Sequence, residues 1–269
     1  MPSTIAFIGA GNMARALIGG LLDRGHDPSA LVASDPDPDT RRELAQRHGL
    51  RTTDDNGAAA RDAGVVVLAV KPQVIDDVLA SIAGAIGADD LVVSVAAGVP
   101  VERIERGLGE RRAVVRAMPN TPALLGMGAT GLFASPACSA GQLDAATALF
   151  ETVGLVEVIG DESLMDAVTA VSGSGPAYFF ALAEALADAG RAAGLDAGTA
   201  TRLACRTAAG AGAMLADGEA DAAELRRRVT SPGGTTAAAL ESFADSGLAD
   251  IVRRAVDAAI LRGRELGDG

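Results

Sequence analysis

The 269-residue sequence has one lysine, Lys71, against 22 arginines, and its only histidines are His26 and His48. Conventional proton donors are scarce. Its two cysteines, Cys138 and Cys205, lie in unrelated segments without metal-ligand spacing, which argues against a disulfide framework and a metal site. They read as reduced thiols, with Cys205 an inert buried one. Mean hydropathy is +0.26, yet no apolar run reaches the roughly eighteen uncharged residues of a membrane span. No basic region precedes an apolar stretch at the N-terminus, so the sequence argues against a secretory signal and for a cytoplasmic protein. A basic field is also missing: the net charge is −12, which disfavours nucleic acid as a partner and leaves small molecules.

The most informative stretch present is residues 4–25, TIAFIGAGNMARALIGGLLDRG. A short apolar run ends at Ile8 and meets the glycines Gly9 and Gly11. A helical pattern follows, with Met13, Leu17, Leu21 and Leu22 on one face. Strand, tight turn and helix in immediate succession predict the opening of a dinucleotide-binding βαβ unit. Gly9 permits the sharp turn, Gly11 lets the backbone approach a pyrophosphate, and Ala14 keeps helix and strand close. The first N–H groups of the helix then face the diphosphate.

Further strands are expected near residues 30–34, 64–70, 90–95, 112–117, 129–133 and 154–158, alternating with helices. The fold class is therefore α/β, with an N-terminal Rossmann-type doubly wound sheet that is mixed at its far edge. Strand two runs into Asp35, where such a unit meets the adenine ribose, and an acid there favours the free 2′-hydroxyl of NAD. Arg41 and Arg42 follow within one turn and could pair with a 2′-phosphate, or be surface arginines behind a helix start. The apolar run 64–70 leads into Lys71, Pro72 and Gln73 at a ligand-binding strand edge. Another ends in Ala96, Ala97 and Gly98, and a proline-bracketed turn surrounds Asn120.

Strand signals stop near residue 161, so the expected partition is a dinucleotide-binding domain over 1–160 and an all-α domain over 161–269. The latter is rich in alanine and glycine, and helices this apolar suggest burial against another subunit. SGSGPAY, residues 172–178, reads as a hinge, with the ring of Tyr178 expected in the core. In VTSPGGTT, residues 229–236, a turn through Ser231, Pro232, Gly233 and Gly234 precedes Thr235 and Thr236 at a helix start. Hydroxyls and free N–H groups gather there as an anion nest or as an ordinary cap. Hydride transfer to a ketone needs a general acid, but the helical part contains no lysine or histidine. A protonated cyclic imine carries its own proton and needs none.

IAFIGAGNMA, AVKPQ, VSVAAG, RAMPNTPA, SGSGPAYFF and VTSPGGTT, in this order over the full length, resemble the Δ1-pyrroline-5-carboxylate reductase family. The resemblance implies reduction of (S)-1-pyrroline-5-carboxylate to L-proline, the last step of proline biosynthesis. It also implies a homodimer with interlocked helical domains and, beyond it, a decamer of five dimers. Cofactor positions carried over are Ile8, Gly9, Ala10, Gly11, Asn12, Met13, Asn56, Ala69, Val70, Lys71, Pro72, Val95, Ala96 and Ala97, with Asn120 towards the nicotinamide. Ser34, Asp35 and Arg41 join them from the reading of strand two, where Asp35 departs from the small polar residue of many relatives. Substrate positions are Glu219, Ser231, Gly233, Gly234, Thr235 and Thr236. Thr236, at the ring nitrogen, and Lys71 are the catalytic candidates. Family habit favours NADPH (NADP) and Asp35 favours NADH; because Ser34, Arg41 and Arg42 can compensate for the acid, NADPH ranks first, with NADH as the alternative and dual use open. Alternative readings are a reductase of another cyclic imine or small hydroxy acid, and a non-catalytic dinucleotide-binding regulator.

Overall fold

A computed structural model describes residues 4–109 and 111–267. It divides into two compact units, residues 4–174 with 259–267, and residues 175–258.

The first unit is built on an eight-stranded sheet: β1 (Ile5–Ile8), β2 (Leu31–Ser34), β3 (Arg51–Thr53), β4 (Val65–Leu68), β5 (Leu91–Ser94), β6 (Ala113–Met118), β7 (Gly128–Ala134) and β8 (Gly154–Val158). Their spatial order is β3-β2-β1-β4-β5-β6-β7-β8. Pairing is parallel throughout except between β6 and β7, which makes the far edge mixed as expected. Seven strands lie where the sequence places them. The eighth, β3, has only three residues, all at least partly exposed, and so carries no apolar run to betray it.

Both faces of the central strands are covered, which is why they read as continuous apolar runs. Ile5, Phe7, Val65, Val67 and Val93 point into a core with Leu17, Leu21 and Phe150. Ala6, Ile8, Val66, Leu68 and Val92 point the other way, onto Ile75, Leu79, Ile82 and Ile104. Helix α1 (Asn12–Asp23) follows β1 and α2 (Pro38–His48) follows β2. Short α3 (Asn56–Ala60) precedes β4, α4 (Ile75–Ile82) follows it, α5 (Val101–Leu108) precedes β6, and α6 (Ala140–Phe150) joins β7 to β8. Strand order reverses between β1 and β4, so the carboxyl ends of these two strands flank the crevice where open α/β sheets bind ligands.

After β8 comes α7 (Met165–Val168), then a π-helical turn over Thr169–Gly173 in place of the loose hinge read from SGSGPAY. This segment is anchored to the sheet. Arg116 of β6 is almost fully buried and pairs with Glu162 at 3.2 Å and Asp166 at 3.9 Å. Glu162 in turn accepts from the Val101 N–H at 2.8 Å.

The second unit is helical: α8 (Gly175–Ala192), α9 (Ala197–Asp217), α10 (Ala222–Arg228), α11 (Thr235–Asp245) and α12 (Leu248–Gly267), whose last residues count with the first unit. Phe179, Phe180, Leu182 and Leu186 on α8 and Leu203 and Met214 on α9 are exposed. Tyr178, expected in the core, is likewise 37% exposed. Cys205 is exposed on α9 and not buried, while Cys138 is partly buried and its thiol is pushed up by desolvation. The period of a helix shows that a face is apolar without showing what lies against it. Among the described residues, no helix is long and apolar enough to cross a membrane.

Candidate active site

The glycine turn sits at the strand-order reversal. Gly9 has φ +91°, and a Cβ there would come within 2.6 Å of the Ala69 carbonyl oxygen and 2.9 Å of Val70 Cγ1. Only glycine combines that conformation with that contact. Its N–H donates to the Ser34 carbonyl at 2.7 Å, and the Ala69 N–H donates to the Ile8 carbonyl at 2.8 Å. Three strand ends are thus joined around one turn. Gly11, the residue that caps α1, faces open space: a Cβ there would meet nothing within 4 Å. Asn12 is exposed and Met13 half-buried at the start of the helix, whereas Ala10 is 1% exposed. A cradle closed behind Gly9 and open before Gly11, at a helix N-terminus, fits a diphosphate.

The remaining cofactor candidates of the first unit lie at the same sheet edge. Ala69, Val70 and Pro72 are half-buried after β4, and Lys71 is exposed between them. After β5, Val95 and Ala97 are half-buried and Ala96 is buried. Asn120, after β6, is 9% exposed. Its amide oxygen accepts from the Ala129 N–H at 2.9 Å, and its amide nitrogen donates to the Ser172 carbonyl and hydroxyl.

At the end of β2 the polar groups form two small networks. Ser34, 1% exposed, donates to Asn56 Oδ1 at 2.5 Å, and Asn56 Nδ2 donates to the Ser81 hydroxyl at 3.2 Å. Ser34 therefore orients Asn56 from behind. Half-buried Asp35 accepts from the Ala10 N–H at 2.9 Å and from the Asp37 N–H at 2.9 Å. Arg41 donates through Nη1 to the carbonyl oxygens of Asp35 and Pro36, and its Nη2 lies 3.6 Å from Asp54. Arg42 pairs with Asp39 at 2.7 Å on the surface. The Thr40 hydroxyl, with the N–H groups of Asp39 and Thr40, holds the Asp37 carboxyl below its usual range.

Two participants are invisible in the sequence. Arg15 donates through Nε to the Ala10 carbonyl at 3.1 Å and pairs with Glu43 at 2.7 Å, bracing the glycine turn from the helix side. Its signal is only its place one turn into α1. Ser81, the outer support of Asn56, gives none.

In the second unit, helix α11 begins at Thr235, with Gly234 as its cap residue and no side chain capping it. Gly233 has φ +67°, and the Gly234 N–H donates to the Ser231 carbonyl at 3.0 Å. Ser231, Gly233 and Thr235 are exposed, and Gly234 and Thr236 are half-buried. The first-turn N–H groups of α11 and these hydroxyls therefore form a polar helix start without a capping side chain. Glu219 is exposed in the turn between α9 and α10.

Comparison with known proteins finds a family match in each part of the chain. A family model described as pyrroline-5-carboxylate reductase dimerisation matches residues 162–266, and one described as NADP oxidoreductase, coenzyme F420-dependent, matches residues 4–98. The chain is 49% identical over 264 residues to the pyrroline-5-carboxylate reductase of Pseudomonas aeruginosa, covering 98% of this chain and 97% of that protein. It is 43% identical to that of Synechocystis, over 99% of both chains. The solved pyrroline-5-carboxylate reductase of Coxiella burnetii matches with a TM-score of 0.95 and 40% identity over 99% of both chains. That of Plasmodium falciparum with NADP bound matches at 0.84 and 28% over 98% of both. The glycine turn, the sheet edge around it and the hydroxyl-bearing helix start thus lie in a chain that belongs to the pyrroline-5-carboxylate reductase family.

Proposed function

We infer that this chain reduces (S)-1-pyrroline-5-carboxylate to L-proline, the final step of proline biosynthesis, with a reduced nicotinamide dinucleotide. The observation that carries the reading is the cradle at Gly9 and Gly11, in a chain that matches reductases of this family from end to end. The bound dinucleotide supplies the hydride. Gly11, Asn12 and Met13 receive its diphosphate through backbone N–H groups, and Ser34, Asp35, Asn56 and Arg41 frame its adenosine end. Ala69 to Pro72 and Val95 to Ala97 line the remainder, Lys71 adds positive charge at the edge, and Asn120 lies on the nicotinamide side.

The substrate part is residues 161–269. Ser231, Gly233, Gly234 and Thr235 hold the carboxylate, Thr236 hydrogen-bonds the ring nitrogen, and Glu219 borders the substrate. Because the imine carries its own proton, these groups need only orient it and balance its charge. The helical unit exposes apolar side chains on α8 and α9, which supports a homodimer in which the hydroxyl loop of one subunit serves the dinucleotide-binding half of its partner. Five such dimers form the larger assembly, and the protein works in the cytoplasm.

The test is an initial-rate assay with 1-pyrroline-5-carboxylate, run with NADPH and with NADH, with proline identified as product. Proline formed with either establishes the reaction. A folded, dinucleotide-binding protein that makes none with both overturns it.

A further inference from the structure

We propose that Asp35 makes this reductase select the dinucleotide with a free 2′-hydroxyl, NADH over NADPH, and that Arg41 positions this selector and is not a phosphate ligand. This rests on the dinucleotide-binding part of the proposed function.

The Asp35 carboxylate is fixed from two sides. Oδ2 accepts from the Ala10 N–H of the glycine turn and Oδ1 from the Asp37 N–H, each at 2.9 Å. A carboxylate offers about four acceptor sites, so two remain for hydroxyl donors. The ribose of NADH brings such donors. A 2′-phosphate brings only acceptors and negative charge, and like charges in contact cost several kcal/mol.

Relief by cations is the rival, and the geometry speaks against it. The Arg41 side chain is 20% exposed. Its guanidinium is already committed to the carbonyls of Asp35 and Pro36 and to Asp54. Turning it to a phosphate strips two backbone acceptors beneath the selector. Arg42 is more exposed, at 63%, and among the described residues pairs with Asp39, a surface contact that breaks cheaply. Yet the neighbourhood is acidic. Asp35, Asp37, Asp39, Asp54 and Asp55 stand within the β2 and β3 ends and the starts of α2 and α3, against Arg41, Arg42 and Arg51. Ser34, which could have donated to a phosphate, gives its proton to Asn56.

The experiment is direct titration of NADH and NADPH binding to the full-length protein without imine, beside kcat/KM for both. Wild type is expected to bind NADH tighter, and Asp35→Ser to shift the NADPH-to-NADH affinity ratio at least about tenfold towards NADPH. Arg41→Gln and Arg42→Gln are expected to leave that ratio within about threefold of wild type, Arg41→Gln by weakening both cofactors alike. Wild type that binds NADPH as tightly as NADH, an Asp35→Ser shift below tenfold, or an arginine variant that loses NADPH selectively overturns the proposal. Should Asp35→Ser not fold, Asp35→Asn is read by the same ratio. Proline formation with either cofactor tests the reaction independently of the ratio.

Discussion

Asn120 and Ser172 are joined twice, the Asn120 amide nitrogen lying 3.2 Å from the Ser172 carbonyl oxygen and 3.3 Å from its hydroxyl. The Ser172 hydroxyl closes the circuit by donating to the Ala129 carbonyl at 3.2 Å. The end of β6, the start of β7 and the π-helical turn are thus one hydrogen-bonded unit.

Asn120→Ala leaves the Ala129 N–H and the Ser172 carbonyl without these partners, and is expected to cost about 1–3 kcal/mol. Amide hydrogen exchange should show faster opening of residues 169–174 and of the Ala129 amide. Protection equal to wild type would show that the latch is replaced by neighbouring contacts.

Two glycines two residues apart answer differently to the same methyl group. Gly9→Ala places a Cβ against the Ala69 carbonyl at a φ of +91°, so it lowers Tm and stability by about 2 kcal/mol or more. Gly11→Ala meets nothing within 4 Å and leaves stability within about 0.5 kcal/mol. Its effect falls on the ligand, weakening dinucleotide binding at least about tenfold, or 1.4 kcal/mol. Thermal melts with and without dinucleotide separate the two, and Gly11→Ala protein that binds normally would place the diphosphate elsewhere.

Thr236 lies in the first turn of α11. A substrate misplaced by about 1 Å reacts about a hundredfold more slowly, so Thr236→Ala, which removes the hydrogen bond that orients the ring nitrogen, should lower kcat on that scale while dinucleotide affinity is unchanged. Thr236→Ser should retain most of the rate. Unchanged kcat in the alanine variant removes Thr236 from the mechanism.

Phe180 on α8 is 67% exposed and Phe179 beside it 63%. If a second copy covers this face, burying one such ring contributes about 1.5–3 kcal/mol. Phe180→Asp should then weaken self-association at least tenfold in sedimentation across a dilution series, with helical circular dichroism retained. Identical sedimentation would assign α8 another role.

The sequence is most readable where backbone and core set the residue type. The turn at Gly9 is legible because a positive φ against a carbonyl admits nothing larger, and the central strands because both faces are covered. Edge strand β3 is not, since three half-exposed residues carry no period. Partnerships are less legible still. Asp35 and Arg41 read as rivals for one phosphate, yet the arginine binds the aspartate's own carbonyl. Asn120 reads the same in sequence whether its amide meets a ligand or the backbone. Tyr178 and Cys205 belong to an apolar helical region, and a single chain leaves them exposed.

Lys71 is the chain's only lysine, and it is exposed directly after β4, beside the crevice. The molecule consequently carries a single ε-amine, set at the rim of its cofactor cradle. Amine-directed chemistry has one side-chain address here, so acylation or a tethered fluorophore would mark that rim and, apart from the chain's α-amine, no other amine.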